Sequence, residues 1–166
     1  MVKSGTEWMK VAHLSKRPMD PVLPNLFGDY RHSLDEKNRL TIPSRWRRAE
    51  GEEWVIVPNP QRQFLMVMFP EEFARVTAAV EANPTLRPDE RRGFLRQFHA
   101  QAQHGVADKQ GRLVLSEQHC RDVGLKGEVA LVGGRGRFEI WNAPKWKRSQ
   151  EDESATYQHV AELIGL

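Results

Sequence analysis

The chain has very little cysteine: Cys120 is the only one among 166 residues, so an internal disulfide is excluded. One thiol without a partner is typical of proteins from a reducing compartment, and we expect a cytoplasmic protein. No apolar run approaches the roughly 18–20 residues that a membrane helix requires. The first residues also lack the apolar core of a secretory signal. We therefore expect no membrane partner and no export.

The spacings of common catalytic and metal sites are absent as well. His99 and His104 are not spaced for one face of a helix, and His119 and Cys120 are adjacent and would point apart. The glycine-rich stretch 133–136 lacks the Lys-Ser/Thr of a P-loop and is read as a hairpin loop. No Ser/His/Asp elbow or isolated pair of carboxylates suggests a nucleophile or an acid–base pair. We expect no enzyme, no metal, no cofactor and no small-molecule substrate.

Positive charge is modest in total but concentrated in place. The formal net charge is +3. One segment is rich in basic residues and holds Arg31, Lys37, Arg39, Arg45, Arg47 and Arg48, against Asp35 and Glu36. Basic groups gathered near turns favour a polyanionic partner. The alternative is that Arg45, Arg47 and Arg48 are the solvated face of a short helix predicted over residues 44–50.

One motif occurs twice in the chain. Residues 34–43 and 107–116 share an Asp, an Arg four positions later and the Leu that follows it. The same offset aligns the apolar residues Leu65, Val67, Met68 and Phe73 with Phe138, Ile140, Trp141 and Trp146. A repeat of this kind indicates a tandem duplication of one β-rich unit.

Each copy of the motif predicts a tight turn that leads into a strand. Asp35 and Asp108 can accept backbone N–H groups, and a residue tolerant of positive φ, Asn38 or Gly111, precedes the arginine. Alternation then places the Leu inward and the Arg outward. A carboxylate beside a guanidinium can orient it for bidentate contact with a phosphate or a guanine edge. The alternative is an ordinary polar turn whose surface ion pair contributes under about 1 kcal/mol.

The residues around the first motif resemble a known family. The segment 27–47, FGDYRHSLDEKNRLTIPSRWR, resembles the start of the MraZ family, bacterial transcriptional regulators of the division and cell wall gene cluster. Residues 105–141 resemble the second repeat of that family. The sequence departs from the family pattern in two ways. Asn38 replaces the usual Gly before the first Arg, and some 25 N-terminal residues precede the family's typical start.

The resemblance implies an α+β fold: tandem AbrB/SpoVT-like repeats forming a β-barrel core with flanking helices, assembled into a ring of identical subunits. We predict a flexible N-terminal extension (1–25), a first repeat (26–73), a helical spacer (74–104), a second repeat (105–146) and a C-terminal helix (147–166). Apolar residues at helical spacing in that last helix, Tyr157, Val160, Ala161 and Ile164, favour packing on a neighbouring subunit.

The resemblance also implies sequence-specific binding of double-stranded promoter DNA, repression of the cluster including the protein's own promoter, and a nucleoid location. Arg39 and Arg112 would reach the bases, Asp35 and Asp108 would hold them, and Lys37 and Lys109 would neutralise phosphate. Asn38 and Arg31 complete the predicted DNA-binding set. Two alternatives stay open: a ring-forming scaffold with only non-specific DNA affinity, and an AbrB-like antitoxin module that binds both DNA and a toxin.

Overall fold

A computed structural model of the protein describes residues 23–166 and confirms the predicted α+β class. In this range the strands are β1 (Asp29–Ser33), β2 (Arg39–Thr41), β3 (Glu53–Pro58), β4 (Phe64–Met68), β5 (Gln103–Val106), β6 (Arg112–Val114), β7 (Glu128–Gly133) and β8 (Arg137–Asn142). The helices of the same range are α1 (Pro70–Ala82), α2 (Pro88–Gln101), α3 (Glu117–Val123) and α4 (Ala143–Ile164), and a 3-10 turn spans Ser44–Trp46.

The strands form one six-stranded antiparallel sheet and one separate ribbon. The order in the sheet is β1-β7-β8-β4-β3-β5, and β2 pairs with β6 in the ribbon. The two halves of the chain are therefore interleaved, because β7 and β8 lie between β1 and β4. Two of the pairings between the halves, β2 with β6 and β4 with β8, centre on residues that the sequence repeat aligns, Leu40 with Leu113 and Met66 with Glu139.

The prediction of a closed β-barrel is wrong for the described residues, because β1 and β5 are the two edges of an open sheet and do not pair with each other. Each edge strand runs into one of the Asp turns, after which the chain leaves the sheet and enters the ribbon. The inward residues of the ribbon, Leu40 and Leu113, pack in the same core as Leu65 and Leu131 of the sheet. The ribbon thus buries its apolar face against the sheet, and the sheet is not closed into a barrel.

Alternation along β4 supplies the two faces of the sheet. Leu65 and Val67 belong to the main core, whereas Met66 and Met68 face the other side, where α2 contributes Phe98. Aromatic rings fill the main core, with Trp54 stacked on Phe69 at a centroid distance of 4.4 Å and Trp46 lying 5.1 Å from Phe138. Phe73 stacks on Phe98 at 4.7 Å and joins α1 to α2. The helices between the repeats therefore cover the face of the sheet opposite to the ribbon.

Local signals placed most helix ends correctly. Proline occupies the first turn of α1 and of α2, and Ser116 caps α3 by accepting the N–H of His119 at 3.0 Å. Gly124 ends α3 with φ +68°. The helix predicted over 44–50 is wrong, because only Ser44–Trp46 is helical and Arg47 is extended with φ −87° and ψ 121°. Contacts of Arg47 and Arg48 with distant parts of the chain replace the missing turn.

The two ends of the described chain differ in how they pack. Residues 1–22 of the predicted extension lie outside the described residues. Leu23 is buried, and the carbonyl of Pro24 accepts the N–H of Gly136 at 2.8 Å in the predicted hairpin loop between β7 and β8. By contrast, nearly all of α4 beyond residue 147 is exposed. None of the helices within residues 23–166 combines the length and apolar character needed to cross a bilayer.

Candidate functional site

The first Asp turn is held by one carboxylate. Oδ1 of Asp35 accepts the backbone N–H groups of Lys37 and Arg39, each at 2.9 Å. Its other oxygen, Oδ2, accepts Nε–H of the Arg39 side chain at 2.6 Å. Asn38 sits in the left-handed region with φ +56°, as predicted. The aspartate therefore fixes both the backbone of the turn and the direction of the arginine.

The second turn repeats this arrangement atom for atom. Oδ1 of Asp108 accepts the backbone N–H groups of Gln110 and Arg112, each at 2.9 Å. Oδ2 of Asp108 accepts Nε–H of Arg112 at 2.8 Å, and Gly111 takes the left-handed position with φ +80°. The sequence repeat is thus a repeat of hydrogen bonding as well.

Hydrogen bonding lowers the pKa of both aspartates. The backbone N–H of Arg39 is the main cause that lowers the pKa of Asp35, and the Arg39 side chain lowers it further. The pKa of Asp108 is lowered in the same way by the backbone and side chain of Arg112. The hydrogen bonds therefore stabilise the ionised form of each carboxylate, which is the form that accepts from its arginine.

The ribbon brings the two turns together. Arg39 lies opposite Val114, Thr41 lies opposite Arg112, and the Leu40–Leu113 pair between them faces the core. Because opposite residues of an antiparallel pair share a face, both arginines stand on the outer face of the ribbon. Their side chains are 29% and 34% exposed. Each Nε is engaged by an aspartate, and the terminal nitrogens donate no hydrogen bond within residues 23–166.

The other residues of the predicted DNA-binding set do not occupy equivalent positions on the two turns. Lys37 and Lys109 are exposed on the turns, but they stand at different positions of the motif, since Gln110 is the equivalent of Lys37. Asn38 serves the backbone of the first turn. Arg31 lies on the edge strand β1, where it pairs with Asp29. The structure therefore groups seven of the eight predicted residues on the two turns and leaves Arg31 on the sheet.

The three arginines of the segment 45–48 have different surroundings. Arg45 is exposed. Arg48 pairs with Glu52 and Glu71 and lies 3.7 Å from the centre of the Phe69 ring. Partial desolvation lowers the pKa of Arg48, but the carboxylates of Glu52 and Glu71 together outweigh this effect and raise it. Arg47 lies against Gly111 of the second turn.

Sequence reasoning missed the position of Arg47, because its contact joins residues from different halves of the chain. The only sequence signal was the difference between Asn38 and Gly111: a Cβ at Gly111 would lie 2.8 Å from Nε of Arg47. In the same described range, no group of three or more His, Cys, Asp and Glu side chains is arranged to hold a metal ion.

Comparison with known proteins relates most of the chain to one family. The model of the MraZ protein family, described as antitoxin-like, matches residues 26–96 and 98–165. A protein of Acetivibrio thermocellus named transcriptional regulator MraZ is 31% identical over 140 residues, which cover 84% of this chain and 96% of the relative. Proteins of the same name from Kocuria rhizophila and Heliobacterium modesticaldum are 34% and 33% identical over 137 residues, 82% of this chain and 94% of each relative.

Proposed function

The chain belongs to the MraZ family, and we propose that it is a DNA-binding transcriptional regulator which reads double-stranded DNA with its two Asp-x-x-x-Arg turns. The relatives named above are called transcriptional regulators, which supports the regulatory role. The target that membership of this family favours is the division and cell wall gene cluster, including the promoter of the protein's own gene, and the proposed effect is repression.

One observation carries the proposal: a two-stranded ribbon presents two pre-oriented arginines on one exposed face. The major groove of B-DNA admits a two-stranded β-ribbon, and arginine bound to O6 and N7 of guanine is the commonest specific contact there. Asp35 and Asp108 hold Nε of Arg39 and Arg112, so the paired terminal nitrogens of each guanidinium are left for such a contact.

The spacing of the two arginines fits one groove. Diagonal neighbours across an antiparallel pair lie about 7–8 Å apart, with their Cβ atoms somewhat closer. Successive base pairs rise about 3.4 Å, so Arg39 and Arg112 are separated by roughly two base-pair steps. A contact from each turn to a nearby base, with Lys37 and Lys109 at the flanking phosphates, is the mechanism that we propose.

Assembly into a ring would multiply these contacts. One ribbon covers a short site and binds weakly, whereas several linked ribbons on repeated sites gain affinity through effective concentration. A patch of apolar side chains on α4 supports contact with a second copy of the chain. Its members are Tyr157, Val160, Leu163 and Ile164, of which even the most covered is 46% exposed. Exposed apolar groups that are contiguous on a surface commonly mark an interface.

The proposal is tested by fluorescence anisotropy with labelled DNA from just upstream of the gene, with scrambled DNA of equal length as the competitor. We expect the Arg39→Ala/Arg112→Ala variant to lose the preference for the upstream DNA. Each lost bidentate contact removes about 1–3 kcal/mol of discrimination. Circular dichroism and urea unfolding establish that the variant is folded.

The matched control is Arg92→Ala/Arg96→Ala. It removes the same charge from exposed positions of α2, a helix on the face of the sheet opposite to the ribbon. We expect this variant to keep the sequence preference. Equal, salt-sensitive binding of both DNAs, unchanged by the ribbon variant, would contradict the proposal and favour a scaffold with only non-specific DNA affinity.

A further inference from the structure

Arg47 comes from the first half of the chain, but its guanidinium lies on the turn of the second half. A Cβ atom added at Gly111 would collide with all three of the nearest guanidinium atoms of Arg47. The absence of a side chain at Gly111 therefore provides the space for Arg47. Gly111 is buried as a result, although it belongs to a surface turn. The backbone amide of Ile42 donates to the carbonyl of Gly111 at 2.8 Å and fixes the two halves at this point.

The guanidinium of Arg47 is held in place without being neutralised. It makes no hydrogen bond or ion pair within residues 23–166, and of its nitrogens only Nε is buried from solvent. Arg48, the next residue, has two carboxylate partners. An arginine whose Nε is covered and whose terminal nitrogens have no partner in the described chain is suited to bind the oxygen atoms of a phosphate.

The surface next to Arg47 is concave. A shallow cavity of about 440 Å³ lies between the segment 44–51 and the second turn. The polar residues that line it are Ser44, Arg47, Arg48 and Lys109, together with the acids Glu50 and Asp108. The Asp108 carboxylate is already engaged by Arg112. Arg48 is paired with Glu52 and Glu71, so the donors that remain are Arg47, Lys109 and the Ser44 hydroxyl. Against the single carboxylate of Glu50, these two cations leave a positive balance for one phosphate group.

The first turn has no such arrangement. It carries Glu36 and Lys37 between its Asp and Arg, whereas the second turn carries Lys109 and Gln110 and lacks the acid. The sequence repeat places Cys120, a buried and uncharged side chain, at the position equivalent to Arg47. The two turns are therefore unequal in charge, although their hydrogen bonds are the same.

We propose that Arg47, together with Lys109 and Ser44, forms a phosphate-binding site for the DNA backbone at the second turn only. This inference rests on the proposed function, because it assigns a backbone contact to the same ribbon. The second turn then holds a phosphate with Arg47 and Ser44 as well as Lys109, whereas the first turn has only Lys37 for a backbone contact. The site gives affinity without sequence preference, since phosphates carry no sequence information.

The test compares Arg47→Gln, Arg47→Lys and the matched control Arg45→Gln in anisotropy titrations at salt concentrations from about 50 to about 200 mM. For each phosphate contact that is lost, the slope of log affinity against log salt falls by about 0.9. Between those concentrations the wild type should then lose about 3.5-fold more affinity than Arg47→Gln for every subunit engaged. We expect Arg47→Lys to keep most of the slope and Arg45→Gln to match the wild type.

Measurements on scrambled DNA and on Arg39→Ala/Arg112→Ala separate the inference from the proposed function. We expect Arg47→Gln to weaken upstream and scrambled DNA by the same factor, so that the preference between them is kept. An unchanged slope would overturn the phosphate site. A lost preference with an unchanged slope would show instead that Arg47 only shapes the turn. If Arg39→Ala/Arg112→Ala keeps the preference, the proposed function fails whatever Arg47 does.

Discussion

The close contact between Gly111 and Arg47 makes the Gly111→Ala variant informative. Gly111 has φ +80°, where an alanine side chain costs about 1–2 kcal/mol of backbone strain. The new Cβ would also lie 2.8 Å from Nε of Arg47, so the guanidinium must leave its position. Loss of that packing adds about 1 kcal/mol, and we expect a total of roughly 2–3 kcal/mol, which is large for a surface turn.

Asn38→Ala is the matched reference, because Asn38 holds the equivalent left-handed position with φ +56° in the first turn. Unlike glycine, asparagine already has some backbone strain at this position. Its replacement by alanine should therefore lower the free energy of unfolding by only about 0.5–1 kcal/mol. The second turn is thus expected to be more sensitive than the first to the same new side chain, although both are held by the same set of hydrogen bonds.

A double-mutant cycle with Arg47→Ala isolates the contact. The free energy of unfolding is measured by urea denaturation at one protein concentration, because self-association would make it concentration-dependent. With Arg47 truncated, Gly111→Ala should cost only the backbone strain, which gives a coupling of about 1 kcal/mol. Additivity within about 0.3–0.5 kcal/mol would refute the reasoning. The same would follow if Gly111→Ala and Asn38→Ala cost equally in the wild type.

Three further predictions concern the turns, the core and the assembly. The carboxyl groups of Asp35 and Asp108 should titrate below 3.8 by NMR, because backbone N–H groups stabilise the ionised form. The stability that they contribute is complete above the unfolded pKa and is lost as the pH falls through the folded pKa. Titration at or above 3.8 would contradict the hydrogen bonding described. Leu113 is fully buried at the centre of the ribbon, so Leu113→Ala should lower the free energy of unfolding by about 2–5 kcal/mol. Val114 is the exposed neighbour, and Val114→Ala should change the free energy of unfolding by no more than about 0.5 kcal/mol. Similar costs for both variants would place the core elsewhere. Tyr157→Ser combined with Ile164→Ser should reduce the mass measured by light scattering while Glu162→Gln, on the same helix, does not, and an unchanged mass would remove α4 from the interface.

Much of the local structure followed from residue types. Asp35 and Asp108 predicted turns closed by backbone N–H groups, and both carboxylates accept two of them. Proline in the first turn of α1 and of α2, and Ser116 before α3, predicted where those helices begin. These features are local, because the donors, acceptors and preferred dihedral angles lie within a few residues of one another.

The predictions that were wrong depend on contacts between distant parts of the chain. Strand alternation indicated which residues of β2 and β6 face inward, but nothing in the spacing stated that β2 pairs with β6 rather than with a strand of its own half. The expected barrel was wrong because β1 and β5 do not pair with each other. The expected helix over 44–50 was wrong because the backbone is extended at Arg47, whose guanidinium lies against Gly111 of the second half.

The sequence by itself determined the repeat, the family, the two Asp-x-x-x-Arg turns and the residues that form them, because these depend on neighbours along the chain. Only the tertiary structure decided that Arg39 and Arg112 share one exposed face and that Arg47 joins just one of the two turns. Those relations join residues from different halves of the chain. They are set by which apolar faces find each other in the core, a competition whose result no short stretch of sequence contains.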